Sequence, residues 1–153
     1  GERGFYGCRS LTSITFPNTL KTIKMGAFMG CVSLTEVVLP NSLTTLEKMS
    51  FADCGKLESL TLSTGLTTLT EAQVALCASL QSLVVPEGIT KMEKNQFMYC
   101  SKLQSVTLPA SLTEIGDWVV GDCPALEEIH VPAGSFAETW CKENGFADVI
   151  VTE

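Results

Sequence analysis

Cysteine recurs in this chain at positions 8, 31, 54, 77, 100 and 123, each 23 residues after the last, with no insertion or slip. The rest of the unit repeats in phase with it. Three residues on stand Leu11, Leu34, Leu57, Leu80, Leu103 and Leu126; six on, Ile14, Val37, Leu60, Leu83, Val106 and Ile129; eight on, Phe16, Leu39, Leu62, Val85, Leu108 and Val131. A unit of this length cannot bury its apolar residues alone. A fixed period therefore means stacked coils sharing one continuous core, a repeat solenoid.

Within each unit the apolar run after cysteine predicts a short strand. Proline follows at 17, 40, 86, 109 and 132, with Ser63 in its place once. Lacking an N–H to donate, proline turns the chain out of the sheet. A second apolar pair comes next, as in Leu43/Leu46, Ile89/Met92 and Leu112/Ile115, separated largely by threonine. Such β-branched positions suit a second short strand on the opposite flank. Phe5, Phe28, Phe51, Val74, Phe97 and Val120 close the unit three residues before the next cysteine. The expected architecture is mostly β, with two narrow parallel sheets joined by short turns and stacked phenylalanines filling the wide end.

The array spans residues 1–132, and the period breaks after Pro132. Residues 133–153 read as a C-terminal cap. Ser135 and Glu138 form a capping box, Phe136, Trp140 and Cys141 an apolar helix face, Asn144-Gly145 a stop, and 146–151 a last strand. At the other end Gly1 falls in mid-repeat, as expected of a piece of a longer protein. The first rung is then an open edge, and a dimer through it is an expectation.

The unit Phe-x-x-Cys-x-x-Leu-x-x-Ile/Val-x-Leu-Pro-x-x-Leu-x-x-Ile resembles the BspA-like leucine-rich repeats over residues 5–145. Val131-Pro132-Ala133-Gly134-Ser135 looks like that family's exit into its cap. The resemblance implies a leucine-rich-repeat right-handed coil, and an extracellular or cell-surface protein of a host-associated bacterium that engages host proteins, glycans or other cells. It implies no catalytic residues and no cofactor. The family's Ile-Gly-x-x-Ala-Phe closure is nowhere intact: Asp117-Trp118-Val119-Val120 follows Gly116, and Gln73 and Gln96 stand where a small residue belongs.

Charge narrows the partners. Residues 1–76 carry six basic and six acidic groups, whereas 77–153 carry four basic against eleven acidic, which is the whole net charge of −7. Nucleic-acid binding relies on clustered Lys and Arg and is not expected. No apolar run reaches the ~20 residues of a membrane helix, so no membrane insertion by this segment is expected. The six laddered cysteines read as small buried thiols, with a disulfide between stacked neighbours as the alternative.

His130, the only histidine, ends the outward row Thr15, Val38, Thr61, Val84, Thr107, His130 and reads as a solvated side chain. A zinc site needs converging close pairs of ligands, which a 23-residue ladder does not supply, so no metal is expected. Calcium bridged between loops by Asp53 or Asp122 is the one metal alternative. Glu127-Glu128 is the only adjacent acid pair, and strand neighbours point to opposite sides. No enzyme is expected.

What remains is surface. The closing bends carry Met49, Leu76, Met98, Tyr99 and Trp118 at places where the repeat requires no burial. They are either an interface, where Tyr and Trp are common, or a cover folded over neighbouring coils. Tyr99, Trp118, Leu76 and Met98, with Thr107 and His130 on the strand face, are the candidate binding residues. The functional expectation is a non-enzymatic recognition or adhesion module presenting an extended repeat surface to a host protein or glycan. The alternative is a structural spacer or stalk of a larger surface protein, with no ligand of its own.

Overall fold

A computed structural model describes the whole chain, residues 1–153. Short strands alternate between the two flanks of each coil: β1 (Thr22–Ile23) and β2 (Glu36–Val38), β3 (Thr45–Leu46) and β4 (Ser59–Thr61), β5 (Thr68–Leu69) and β6 (Ser82–Val84), β7 (Lys91–Met92) and β8 (Ser105–Thr107), β9 (Glu114–Ile115) and β10 (Glu128–Val131). Helix α1 (Phe136–Glu143) and strand β11 (Ile150–Thr152) end the chain. Every pairing is parallel. On one flank β2 pairs with β4 and the order β6-β8-β10-β11 continues the wall; on the other, β1 pairs with β3 and β5-β7-β9 follow. The register is the repeat itself, with Ser82 opposite Ser105 and Ser105 opposite Glu128. This is the parallel-sheet leucine-rich-repeat solenoid that the period demanded.

Both breaks in the walls, between β3 and β5 and between β4 and β6, involve the coil that has Ser63 instead of proline. Ser63 is fully buried there. Its hydroxyl donates to the Leu43 carbonyl at 2.7 Å and accepts from the Gly65 N–H at 3.0 Å, turning the chain by hydrogen bonds rather than by a ring.

One apolar cluster of 34 buried residues runs along the axis. Leu34, Leu57, Leu80 and Leu103 form one fully buried row of it. At the wide end the rings of Phe5, Phe28 and Phe51 stack with centroids 5.0 and 5.2 Å apart; Val74 then interrupts the column before Phe97. Phe5, on the first rung, is 44% exposed.

The cysteines are free and inward. Cys31, Cys54, Cys77 and Cys100 are buried, and Cys8 and Cys123 at the two ends half-buried. Each thiol after the first donates to the carbonyl of the closing residue one coil back: Cys31 to Phe5, Cys54 to Phe28, Cys77 to Phe51, Cys100 to Val74 and Cys123 to Phe97, at 2.9–3.3 Å. Burial pushes Cys54 and Cys100 up to about 12, and Cys77 well above its ordinary value.

The C-terminal elements correct three expectations. The Ser135 hydroxyl accepts from the Glu138 N–H at 3.1 Å, but the Glu138 carboxylate reaches one residue further back than a capping box would, to the Gly134 N–H. Phe136 is not on the buried face of α1. It is 42% exposed, and Ala137 and Cys141, one turn apart, meet the core instead. The last strand is also shorter than 146–151, because 147–149 form a 3-10 turn before β11 joins the wall.

Candidate functional site: the closing bends and the cleft beside the terminal helix

Each coil closes through two residues in the left-handed backbone region, four apart. The first row is Arg3, Gly26, Met49, Ala72, Asn95 and Trp118; the second is Gly7, Gly30, Asp53, Leu76, Tyr99 and Asp122, all with φ between 51° and 75°. The bends stack by backbone pairing. The N–H groups of Gly26, Phe28 and Gly30 donate to Lys48, Ser50 and Ala52, and those of Asn95, Phe97 and Tyr99 to Asp117, Val119 and Gly121. The middle residue between the two left-handed ones faces the core, as Phe51 and Phe97 do, while Asp53, Leu76, Tyr99, Trp118 and Asp122 carry their side chains outward and Ala72 is buried.

This explains three of the exposed apolar residues of the chain. Leu76 is 45%, Tyr99 47% and Trp118 68% exposed, each at a position glycine fills in other coils. Glycine reaches positive φ without strain, whereas an L side chain there costs on the order of 1 kcal/mol or more. Met98 is half-buried, and its side chain and the Trp118 indole both approach Gly121.

The glutamines that depart from the repeat leave the bend intact. Gln73 and Gln96 turn inward, fully buried. The Gln73 amide donates to the Leu46 carbonyl at 2.6 Å and the Thr70 hydroxyl at 3.0 Å, and that of Gln96 to the Leu69, Glu93 and Thr70 carbonyls. Their Oε1 atoms have no partner. At the equivalent place in the last coil stands Val119, also buried.

Beyond that coil lies a cavity of about 320 Å3 between the closing bend and the terminal elements. Trp118 and Asp117 line one side of it, Trp140, Asn144 and Phe146 the other. Trp140 stacks on Phe146 with centroids 5.7 Å apart. Nothing in the sequence pairs Trp140 with Trp118: one belongs to a coil and the other to a helix outside the period.

His130 and Thr107 are not part of this group. They lie opposite one another in β10 and β8, on the strand wall. His130 is not freely solvated as its row suggests. Its Nδ1 is 2.9 Å from Glu153 and its Nε2 3.0 Å from Glu128, and these two carboxylates raise its pKa above 6.5. A cavity of about 250 Å3 beside it is bordered by Val84, Thr107 and Pro109. No group of three or more His, Cys, Asp or Glu side chains, around Asp53 and Asp122 included, is placed to hold a metal ion. No helix is long and apolar enough to cross a membrane.

A family model described as the BspA type leucine rich repeat region matches residues 1–127 in six copies. Among solved structures, a leucine rich cell surface protein of Faecalibacterium prausnitzii aligns over 82% of this chain and 33% of its own, at 32% identity and a TM-score of 0.77. A leucine rich repeat protein of Treponema pallidum aligns over 99% of this chain and 77% of its own, at 23% identity and a TM-score of 0.74. A leucine-rich repeat protein of Bacteroides ovatus gives 22% identity, 0.63, and coverage of 87% and 46%. The chain thus spans only a third to a half of the length of two of these. No curated protein matches the sequence significantly.

Proposed function

Because the chain belongs to the BspA type leucine rich repeat family, we propose that it is a non-enzymatic recognition module, exposed at a bacterial cell surface, whose contact surface is the closing-bend side of its C-terminal coils. Its likeness to a leucine rich cell surface protein supports the location. Repeat arrays bind through extended rigid surfaces.

One observation carries the choice of surface: Leu76, Tyr99 and Trp118 sit exposed at positive φ, where glycine would serve the fold better. Backbone strain of this kind persists where an outward side chain has a use. Large aromatic residues held on a rigid backbone lose little entropy on binding and recur as interface anchors.

Replacing Leu76, Tyr99 and Trp118 by Gly separates a contact surface from a structural cover. If the side chains serve binding, each variant holds its stability, or gains up to about 1 kcal/mol, while capture of surface proteins or glycans by the immobilised chain is lost. A stability loss well above that, with capture unchanged, would make them packing. Silence of the folded wild-type protein across both ligand classes would leave a spacer.

A further inference from the structure

We propose that the cleft between the last closing bend and the terminal helix takes a basic side chain, arginine above all, from a partner protein segment. This rests on the recognition reading above and names the partner's chemistry.

The cleft offers aromatic faces and acceptors, and no cation. Trp118, Trp140 and Phe146 supply the π surface around a space of about 320 Å3. Indole faces are the best of the aromatic rings at attracting a cation. The polar groups are the Asp117 carboxylate and the Asn144 amide. One N–H of Asn144 Nδ2 donates to the Trp140 carbonyl at 2.8 Å, which fixes the amide at the rim of the cleft and leaves its Oδ1 as an acceptor. Asp117 enters none of the chain's ion pairs.

No basic residue of this chain competes for the place. Residues 103–141 contain neither Lys nor Arg but six Asp and Glu. Lys142 pairs with Glu138 at 2.6 Å, Lys94 with Glu71 at 3.6 Å and Lys91 with Glu114 at 2.9 Å, and Lys102, which enters no ion pair, does not line the cleft. A site with carboxylate and carbonyl acceptors among indole rings is complementary to a donor that is flat and positive. Guanidinium meets both demands, since it stacks on aromatic faces and pairs with a carboxylate through its fork.

The test is calorimetric titration of the full chain with a short synthetic peptide of alternating glycine and arginine, followed also by tryptophan fluorescence. Binding is expected, with the emission shifted, and an otherwise identical glutamate peptide should be inert. Asp117→Asn should weaken binding about tenfold, and Trp118→Gly at least as much. Asp122→Asn, in the same bend but outside the cleft, should change it less than about twofold if the site is local rather than a general field. Equal losses at Asp117 and Asp122, or no arginine binding by a folded protein, would overturn the inference. Binding of neutral oligosaccharides through Trp118 with arginine silent would overturn it too, yet leave the recognition surface standing. Silence toward every ligand would end both.

Discussion

The Cys77 thiol donates to the carbonyl oxygen of Phe51 at 3.2 Å, tying a side chain of one coil to the backbone of the coil before it. The same carbonyl position in neighbouring coils does double duty. Phe28 accepts from its own coil's Cys31 N–H at 3.2 Å and from the next coil's Cys54 thiol at 3.3 Å. The cysteine ladder is thus a set of inter-coil hydrogen bonds as well as an apolar row. Cys77→Ala removes the donor and opens a small void in a fully buried place, so unfolding in urea should show a loss of about 1–3 kcal/mol. An unchanged midpoint would mean that the thiols merely fill space.

Alkaline conditions should attack the same ladder. A thiolate in the stack would set a charge against carbonyl oxygens with no water to solvate it, and for this reason burial holds Cys54 and Cys100 up at about 12 and Cys141 at about 11. In the unfolded chain these thiols ionise near 9.0. Between those values the unfolded state binds fewer protons than the folded one, so stability is fully present below pH 9 and falls as pH rises toward 12. The slope reaches about 1.4 kcal/mol per pH unit for each such thiol. Urea midpoints measured across this range should fall, and the fall should be shallower in Cys54→Ala.

The coil was legible because its cause is repeated six times: equal spacing along the chain becomes parallel register in space, as Ser82, Ser105 and Glu128 show. The bends were not. Only Gly7, Gly26 and Gly30 announce positive φ, and the same conformation in Met49, Tyr99 and Trp118 carries no compositional mark. Ser63 gave no warning that a hydroxyl could replace a proline, since one of its hydrogen-bond partners is the Leu43 carbonyl of the coil before and the other the Gly65 N–H of the turn itself. The cleft escaped for a different reason. It lies where the period ends, and its walls come from segments whose juxtaposition no spacing encodes.

Close approach of coils makes a sharp steric prediction at Gly116. A Cβ built there would stand 2.8 Å from the Lys94 nitrogen and 3.0 Å from the Glu93 carbonyl carbon, both backbone atoms that the ladder holds in place. Gly116→Ala should therefore lose about 1–3 kcal/mol in thermal or urea unfolding. Gly55→Ala, which meets nothing within 4 Å and has no positive φ, is the matched control and should stay within about 0.5 kcal/mol of wild type.

The final prediction concerns how β11 is held to the wall. His130 in β10 lies between Glu128 of its own strand and Glu153 from the end of the chain, and the hydrogen bond to Glu153, then that to Glu128, raises its pKa above 6.5. A protonated imidazole donates from both ring nitrogens and so satisfies both carboxylates at once, whereas the neutral ring can donate to only one. The attachment contributes stability that is fully present below pH 6.5 and is lost as pH rises through the folded-state value. Because the side chains concerned are 24–68% exposed, the effect is local rather than global. In NMR the His130 ring protons should titrate with a midpoint above 6.5. The Val151 amide should exchange faster on the alkaline side of that midpoint. Glu153→Gln should return the midpoint toward 6.5, and a His130 midpoint unchanged by that substitution would show that Glu153 does not engage the ring.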